Sequence, residues 1–397
     1  MKFTKRLATT IMAAAVMTAA VPAYSSAIEV STDLSFENTV AASASKNCRD
    51  VEEAAVYVRE CLRERKTYFV FSLPVSFDYK KDFSEVMLKA VEETYNSDEG
   101  DYIIYDMNKV NCAGDCDGKY YYYKLTVNYF TNPEQEKYVS ERVTEIIDSL
   151  DIEKLDDYGK ISAIYEYIIN NVEYDYSEED VRKEKRSAYG ALYNGQAVCQ
   201  GFSLLFYRLA KEAGLHCRII SGMDNEGGHA WNIISIDGLY YLCDPTWDIN
   251  SDEISDCKYF MKGTEDFDSW DVERKHIASG EDEDKFILPD YTSDEFLEEY
   301  PISEYAFDIN NKKAGYVLGD VDADGAINSV DASKILEAYT NLSVLGISRM
   351  SAAQELAADV NEDDVIDASD ASAVLAYYSF ISTGGDYSLE DFIKKVN

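Results

Sequence analysis

Three residues in the middle of the chain have the types and settings for thiol chemistry: Cys199, His229 and Asp244. Cys199 lies in Gly195-Gln-Ala-Val-Cys-Gln-Gly-Phe202, and Phe202, Leu205, Phe206, Leu209, Ala210 and Ala213 follow on one helical stripe that Gly214 closes. The spacing predicts a helix over 200–214 with the thiol at its start. A helix N-terminus carries partial positive charge and unpaired N–H groups, which favour a thiolate and could also hold an oxyanion. Gly201 is expected to leave room for a substrate chain. His229 opens the run His-Ala-Trp-Asn-Ile-Ile-Ser-Ile, and Asp244 ends the run Leu-Tyr-Tyr-Leu-Cys-Asp. Asp237-Gly238 between them is a strong two-residue hairpin signal. With that turn, Ile236 faces Leu239, Trp231 faces Asp244 and His229 faces Thr246. His229 and Asp244 are then diagonal neighbours on one face, roughly 7–8 Å apart at the backbone. A slip of one residue would part them. In this register Asp244 orients His229, His229 holds Cys199 as thiolate, and Trp231 lines the cleft. Each residue alone has a plain structural reading; the joint pattern is far more specific.

A second constellation is acidic. Asp320, Asp322, Asp324, Asn328 and Asp331 stand at positions 1, 3, 5, 9 and 12 of a twelve-residue loop. Gly325 supplies its sharp turn and the Ala326 carbonyl its position 7. Calcium takes about six to eight oxygen ligands, which this spacing supplies. Asp359, Asn361, Asp363, Asp367 and Asp370 repeat the pattern, with Asp364 where glycine is expected. Two Ca2+ sites are therefore expected, and no cofactor for the thiol chemistry. A helix is predicted after each loop, over 332–340 and 371–380.

The elements that must position the triad come before and after it. Residues 46–66, 80–95, 136–150 and 154–172 read as helices. In the last, Ile161, Ile164, Tyr165, Ile168, Ile169 and Val172 mark one buried face. Residues 67–77 read as a strand, and Tyr102–Tyr105 and Tyr120–Phe130 as a hairpin around a Cys112–Cys116 turn. Strands over Cys217–Ser221, Ala230–Ile236 and Leu239–Cys243 follow the thiol helix. The organisation is a leader over 1–27, an α/β lead-in over 28–149, a catalytic domain over 150–278, an acidic tail and linker over 279–315, and a calcium module over 316–397.

Composition sets the context. The hydrophobic fraction of 46% is ample for a sizeable core, and 32 tyrosines suit half-exposed positions. Lys2, Lys5 and Arg6 followed by the apolar Leu7–Ala20 and small residues near 23–27 read as a secretory signal peptide. Its removal takes away three basic and no acidic residues, moving the formal charge from −38 to −41. That charge opposes nucleic acid and anionic membranes as partners. No later run is long and apolar enough for membrane insertion. Eight cysteines in an extracellular chain could pair, with Cys48–Cys61 and Cys112–Cys116 as local bridges. Zinc is not expected, because no second Cys/His pair stands at ligand spacing. His216 and His276 read as structural.

The motifs around the triad resemble the bacterial transglutaminase-like (transglutaminase core) family. They are Tyr189-Gly190, Gly195-Gln-Ala-Val-Cys199-Gln-Gly-Phe, His229-Ala-Trp and Leu242-Cys-Asp244-Pro-Thr-Trp247, with Asn170-Asn-Val-Glu-Tyr-Asp175 before them. The resemblance implies an α+β, papain-like fold with an antiparallel sheet. It implies thiol chemistry on amide bonds, with Cys199 as nucleophile, His229 as base and Asp244 as orienting acid. Tyr189 and Gln196 are weaker candidates on the oxyanion side, Tyr189 also as part of the substrate cleft. Both cross-linking transferases and peptidases belong to the family. Peptide hydrolysis is placed slightly ahead, because water is always available and no feature marks an amine site. The two loop-helix units resemble a type I dockerin, which implies a mostly helical module folded by calcium. It also implies a cohesin domain of a scaffoldin as partner, and a secreted, extracellular place in a cellulosome-like, polysaccharide-degrading complex. Loop positions 10 and 11, where that family places specificity, are Ser329 and Val330 in one repeat and Ala368 and Ser369 in the other. The alternative function is a transglutaminase-like binding or structural protein, catalytically silent, on the same scaffold.

Overall fold

The computed structural model describes residues 29–31, 45–75, 78–177, 182–225, 227–236, 238–251, 253–269, 275–280, 288–309, 317–322, 325–345, 350, 352–361, 363 and 365–396. The expected signal peptide, Asp237 of the hairpin turn, Asp324 and the stretch 310–316 lie outside them. The architecture is mixed α+β. Two short strands, β1 (Glu29–Ser31) and β2 (Lys46–Asn47), precede α1 (Val51–Arg63), which Asp50 caps by accepting the Glu53 N–H. β3 (Tyr68–Pro74), α2 (Tyr79–Ala90) and the short α3 (Asp101–Asp106) follow. β4 (Met107–Cys116) and β5 (Tyr120–Tyr129) form a long hairpin. Its turn has Gly118 at φ 84° and Asp117 accepting the Lys119 and Tyr120 N–H groups. These strands make a sheet in the order β1-β4-β5-β3-β2.

Two expectations fail in this region. Tyr102–Tyr105 is helical, not a strand. All four of its side chains are buried, so the run shows neither helical nor strand periodicity. The Cys112–Cys116 stretch is strand rather than turn, with Cys112 opposite Leu125 and Cys116 opposite Tyr121. Four residues along an extended strand separate the Cα atoms by about 13 Å, well beyond disulfide reach. Cys48 and Cys61 are likewise free thiols, as are all eight cysteines.

A second set of elements carries Cys199, His229 and Asp244. It comprises α4 (Pro133–Ser149), α5 (Asp157–Asn171), β6 (Glu173–Tyr174), β7 (Gln196–Ala197), α6 (Cys199–Glu212), β8 (Cys217–Met223), β9 (Gly228–Ile236), β10 (Leu239–Cys243) and β11 (Ile277–Ala278). An antiparallel sheet runs β10-β9-β8-β11, with α6 packed on β8 and β9. Residues 200–210 of α6 are all buried, because α3, α4 and α5 cover its remaining sides. One continuous apolar core runs from Cys48 to Met261. The lead-in and the triad-bearing segment thus share their interior. Polar ties reinforce the junction: Arg218 of β8 makes a two-pronged bond to Asp101 of α3 at 2.8 and 3.0 Å, and the Gln200 amide donates to the Tyr105 carbonyl. The acidic tail packs as well. Phe296 in α7 (Asp294–Glu299), with Tyr291 and Tyr300 around it, joins Trp231 and Tyr240 in a second apolar cluster, and Arg218 lies 4.4 Å over the Tyr300 ring.

The C-terminal module is helical: α8 (Ser329–Leu345), α9 (Ala352–Ala358), α10 (Ala368–Ser382) and α11 (Leu389–Val396) enclose a small core of their own. Among the described residues, no helix is long and apolar enough to cross a membrane.

Candidate active site and calcium loops

The strand register that aligns His229 with Asp244 is the expected one, from Ile236 opposite Leu239 to Asn232 opposite Cys243. Asp244 follows the end of β10, where its N–H donates to the Tyr259 carbonyl. His229 Nε2 lies 2.9 Å from Asp244 Oδ2, and Asp244 Oδ1 accepts the Thr246 N–H at 2.9 Å. Cys199 is the first residue of α6, and its sulfur stands close enough to the His229 ring to act on its charge. No side chain caps the start of that helix. Asp244 is wholly buried, His229 almost so, and Cys199 is half-buried at the surface end of the row.

Electrostatics bind the row together. Burial disfavours a charged imidazole, but attraction to Asp244 and to the Cys199 sulfur, with the hydrogen bond to Asp244, holds His229 well above its ordinary value. Burial likewise disfavours a charged Asp244. The His229 charge and hydrogen bond, with a further contribution from His276, keep it below the usual carboxylate range. Asp224, in the β8–β9 turn, places Oδ2 4.0 Å from His229 Nδ1.

His276 is the residue that sequence reading misplaced. Its Nε2 lies 3.3 Å from the same Asp244 oxygen that His229 contacts, and its Nδ1 lies 2.7 Å from Asp268 Oδ1. It directly precedes β11, which pairs with β8 at Gly222 and Met223. Gly222 stands opposite His229 in the β8–β9 ladder. A Cβ at Gly222 would sit 2.0 Å from the Ile277 carbonyl oxygen and 2.8 Å from Trp231, so only glycine admits this approach. A two-residue strand has no period to read, which is why nothing in the residues alone pointed to His276. The motif Asp244-Pro-Thr-Trp247 did hold a usable signal. Trp247 stacks on His229 at 4.7 Å and meets His276 at 4.1 Å. His229, Asp244 and His276 bring one ligating atom each within 4.8 Å of one another.

The expected cleft residues are placed elsewhere. Trp231 is 2% exposed and lies behind the site, its ring 6.0 Å from His229 and 4.8 Å from His276. Gly201 is buried, and a Cβ there would press on the Lys185 carbonyl oxygen at 2.7 Å and Ala197 at 2.8 Å. Its smallness serves packing of α6 on the preceding loop. Tyr189 stacks on Tyr193 at 5.0 Å and meets Tyr138 of α4 edge-on at 5.5 Å. Gln196 is engaged with Arg182 at 2.8 Å and Glu173 at 3.2 Å. His216 is exposed at the end of the turn after α6 and meets the Tyr95 ring at 6.4 Å.

In the first acidic loop, Asp320, Asp322 and Asp331 bring one carboxylate oxygen each within 4.8 Å of one another. Asp331 is buried and accepts the N–H groups of Val321 and Asn328 at 2.8 Å each. Asn328 accepts the Val330 N–H at the start of α8. Gly325 has φ 82°, as the sharp turn requires. The second loop copies this. Asp370 is buried and accepts from Val360 and Asp367, while Asp363 donates its N–H to Asp359 and Asn361. Asp367 also caps α10. The first loop therefore offers hard oxygen donors gathered around one point, the chemistry calcium requires. Leu336 and Tyr339 of α8 and their counterparts Leu375 and Tyr378 of α10 are exposed to nearly the same degree, 41–44%.

Comparison with known proteins agrees with these two regions. A model of the Transglutaminase-like superfamily matches residues 144–245, and a model of the Dockerin type I domain matches residues 318–377. The chain thus carries a transglutaminase-like core and a C-terminal dockerin, a module that binds calcium and a cohesin. It is similar to kyphoscoliosis peptidase of Mus musculus, 27% identical over 124 residues (28% of this chain), and to that of Homo sapiens, 27% over 118 residues (26% of this chain). The matched stretch spans 18% of either relative's length. Among solved structures it is similar to a TGase, with TM-score 0.26 and 14% identity, over 49% of this chain and 58% of that one. A putative cysteine protease from Cytophaga hutchinsonii has TM-score 0.24 and 20% identity, over 32% of this chain and 53% of that one.

Proposed function

We propose that this transglutaminase-like protein is a secreted cysteine enzyme acting on protein amide bonds, with peptide hydrolysis ahead of amine transfer. The hydrogen bond from His229 to Asp244, with Cys199 beside that ring at an uncapped helix start, carries the reading. In the reaction, the Cys199 thiolate attacks the amide carbon. The N–H groups at the start of α6 hold the developing oxyanion. His229, kept charged by Asp244, gives its proton to the departing amine as the C–N bond breaks, leaving a thioester on Cys199. Water then attacks the thioester, losing a proton to His229, and the acid product leaves; a primary amine in place of water gives the cross-linked amide.

Calcium would be held by Asp320, Asp322 and Asp331 with Asp324 and Asn328, and by Asp359, Asn361, Asp363, Asp367 and Asp370 in the second loop. It supplies charge neutralisation that lets these carboxylates share a small space, and with it the fold of the module. So folded, the dockerin tethers the enzyme to a cohesin-bearing scaffold in an extracellular, cellulosome-type complex.

The test compares wild type and Cys199→Ala on a glutamine-containing peptide, with and without a primary amine. Backbone cleavage by wild type alone supports the peptidase. Ammonia release with amine incorporation assigns a transferase instead. No product from either protein sinks the enzyme reading and leaves a silent binding protein.

A further inference from the structure

We infer that His276 and Asp268 extend the triad as positioning residues: Asp268 holds the His276 ring, and His276 fixes the Asp244 carboxylate that orients His229. The inference rests on the thiol chemistry proposed above. Asp268 grips His276 twice, with Oδ1 2.7 Å from the ring Nδ1 and Oδ2 accepting the His276 backbone N–H at 2.8 Å. The opposite ring nitrogen reaches Asp244 Oδ2 at 3.3 Å. Asp244 is thereby pinned from three directions, by His229 and His276 on Oδ2 and by the Thr246 N–H on Oδ1. It cannot rotate away from His229 without breaking one of these bonds.

The donor inventory supports the same assignment. A carboxylate only accepts, and a neutral imidazole has a single N–H. Serving both Asp268 and Asp244 engages both ring nitrogens of His276. The charged or titratable side chains that face this ring are Asp244, Asp268 and His229, while Trp231, Trp247, Tyr259 and Phe267 enclose it. The His276 side chain is 2% exposed, and Phe267 stacks on it at 4.2 Å. An apolar residue would fill this aromatic cage without two buried carboxylate contacts, and such replacements are often neutral or stabilising. A histidine here is thus explained by what it does to Asp244, not by packing.

The experiment uses the full, calcium-loaded chain and needs no substrate. The rate of Cys199 alkylation by iodoacetamide is followed between pH 4.5 and 9 by peptide mass spectrometry, in wild type, His276→Gln, Asp268→Asn, Asp244→Asn and the Asp244→Asn/His276→Gln double variant. At pH 6 we expect His276→Gln to slow alkylation about tenfold, and Asp268→Asn to slow it less. In both, the half-rise of the rate moves to higher pH. In the Asp244→Asn background, His276→Gln should add nothing, because it acts through Asp244. A merely structural role would lower Tm and add in that background, without moving the pH profile. Rates equal to wild type in both single variants, or fully additive effects, would overturn the inference. Should His276→Gln fail to fold, Asp268→Asn, at a partly exposed side chain, decides the question alone. A wild-type Cys199 no faster than glutathione would sink the thiol reading itself. A fast wild type and a slow Asp244→Asn, with both other variants fast, would sink only the role of His276 and Asp268.

Discussion

The calcium module and the triad-bearing body gather charged side chains in opposite ways. The module takes its carboxylates from neighbours in sequence: Asp320, Asp322 and Asp331 converge within one twelve-residue loop. Its interior is slight, with ten buried residues in its apolar core cluster among those described. Such a core offsets little chain entropy, so the metal must supply part of the folding free energy. The body draws Cys199, His229, Asp244, Asp268 and His276 from separate elements and seats them on a core that runs from Cys48 to Met261. Local sites are cheap to encode and need a ligand; distant ones need a scaffold and can then stand without one.

Chelation should break the two regions apart most sharply. EDTA is expected to melt α8 and α10 and abolish cohesin binding, while near-UV circular dichroism and Cys199 reactivity of the body stay as they were. Loss of both would erase the contrast. The next largest effect falls inside the body. Asp244→Asn should lower kcat/KM on the cleaved peptide by about 10³–10⁴-fold, since the base loses its orienting charge. Its stability effect has a definite pH window. His229 is raised in the fold, so its contribution is full below about pH 6.5 and fades as pH rises through the folded value. Asp244 is lowered, so its contribution is full above about pH 3.9 and fades as pH falls through the folded value. The gap in Tm between wild type and Asp244→Asn should therefore be widest between these limits.

Smaller effects test the scaffold. Asp101→Asn leaves the buried Arg218 with only its longer, 3.5 Å contact to Glu93 and should cost about 3 kcal/mol in urea unfolding of the body, with no change in the module. Dithiothreitol should leave the Tm of both regions unchanged, because all eight cysteines are free thiols. A fall matching one disulfide, about 2–4 kcal/mol, would contradict this.

The same contrast governs what could be read from the residues alone. The calcium loops were legible because ligand spacing is contiguous. The facing of His229 and Asp244 was legible because one hairpin turn fixes their register, and the place of Cys199 because α6 has an unbroken apolar stripe behind it. Tyr102–Tyr105 was misread because a run buried on every side has no period. The Cys112–Cys116 turn was misread because Ala113-Gly114-Asp115 is turn-like, whereas the strand in fact continues to Cys116 and turns at Gly118. His276 was illegible because its place depends on a two-residue strand and on the space left by Gly222.

The central claim is that His229, oriented by Asp244, activates the Cys199 thiol. Its most direct test is the alkylation rate of Cys199 at pH 6, measured beside the seven other cysteines and free glutathione. An ordinary thiol is then less than about 1% ionised. The account predicts that Cys199 is modified first and at least about tenfold faster than glutathione, and that Asp244→Asn removes most of this advantage. A Cys199 that reacts at the rate of glutathione, or one indifferent to Asp244, would contradict it.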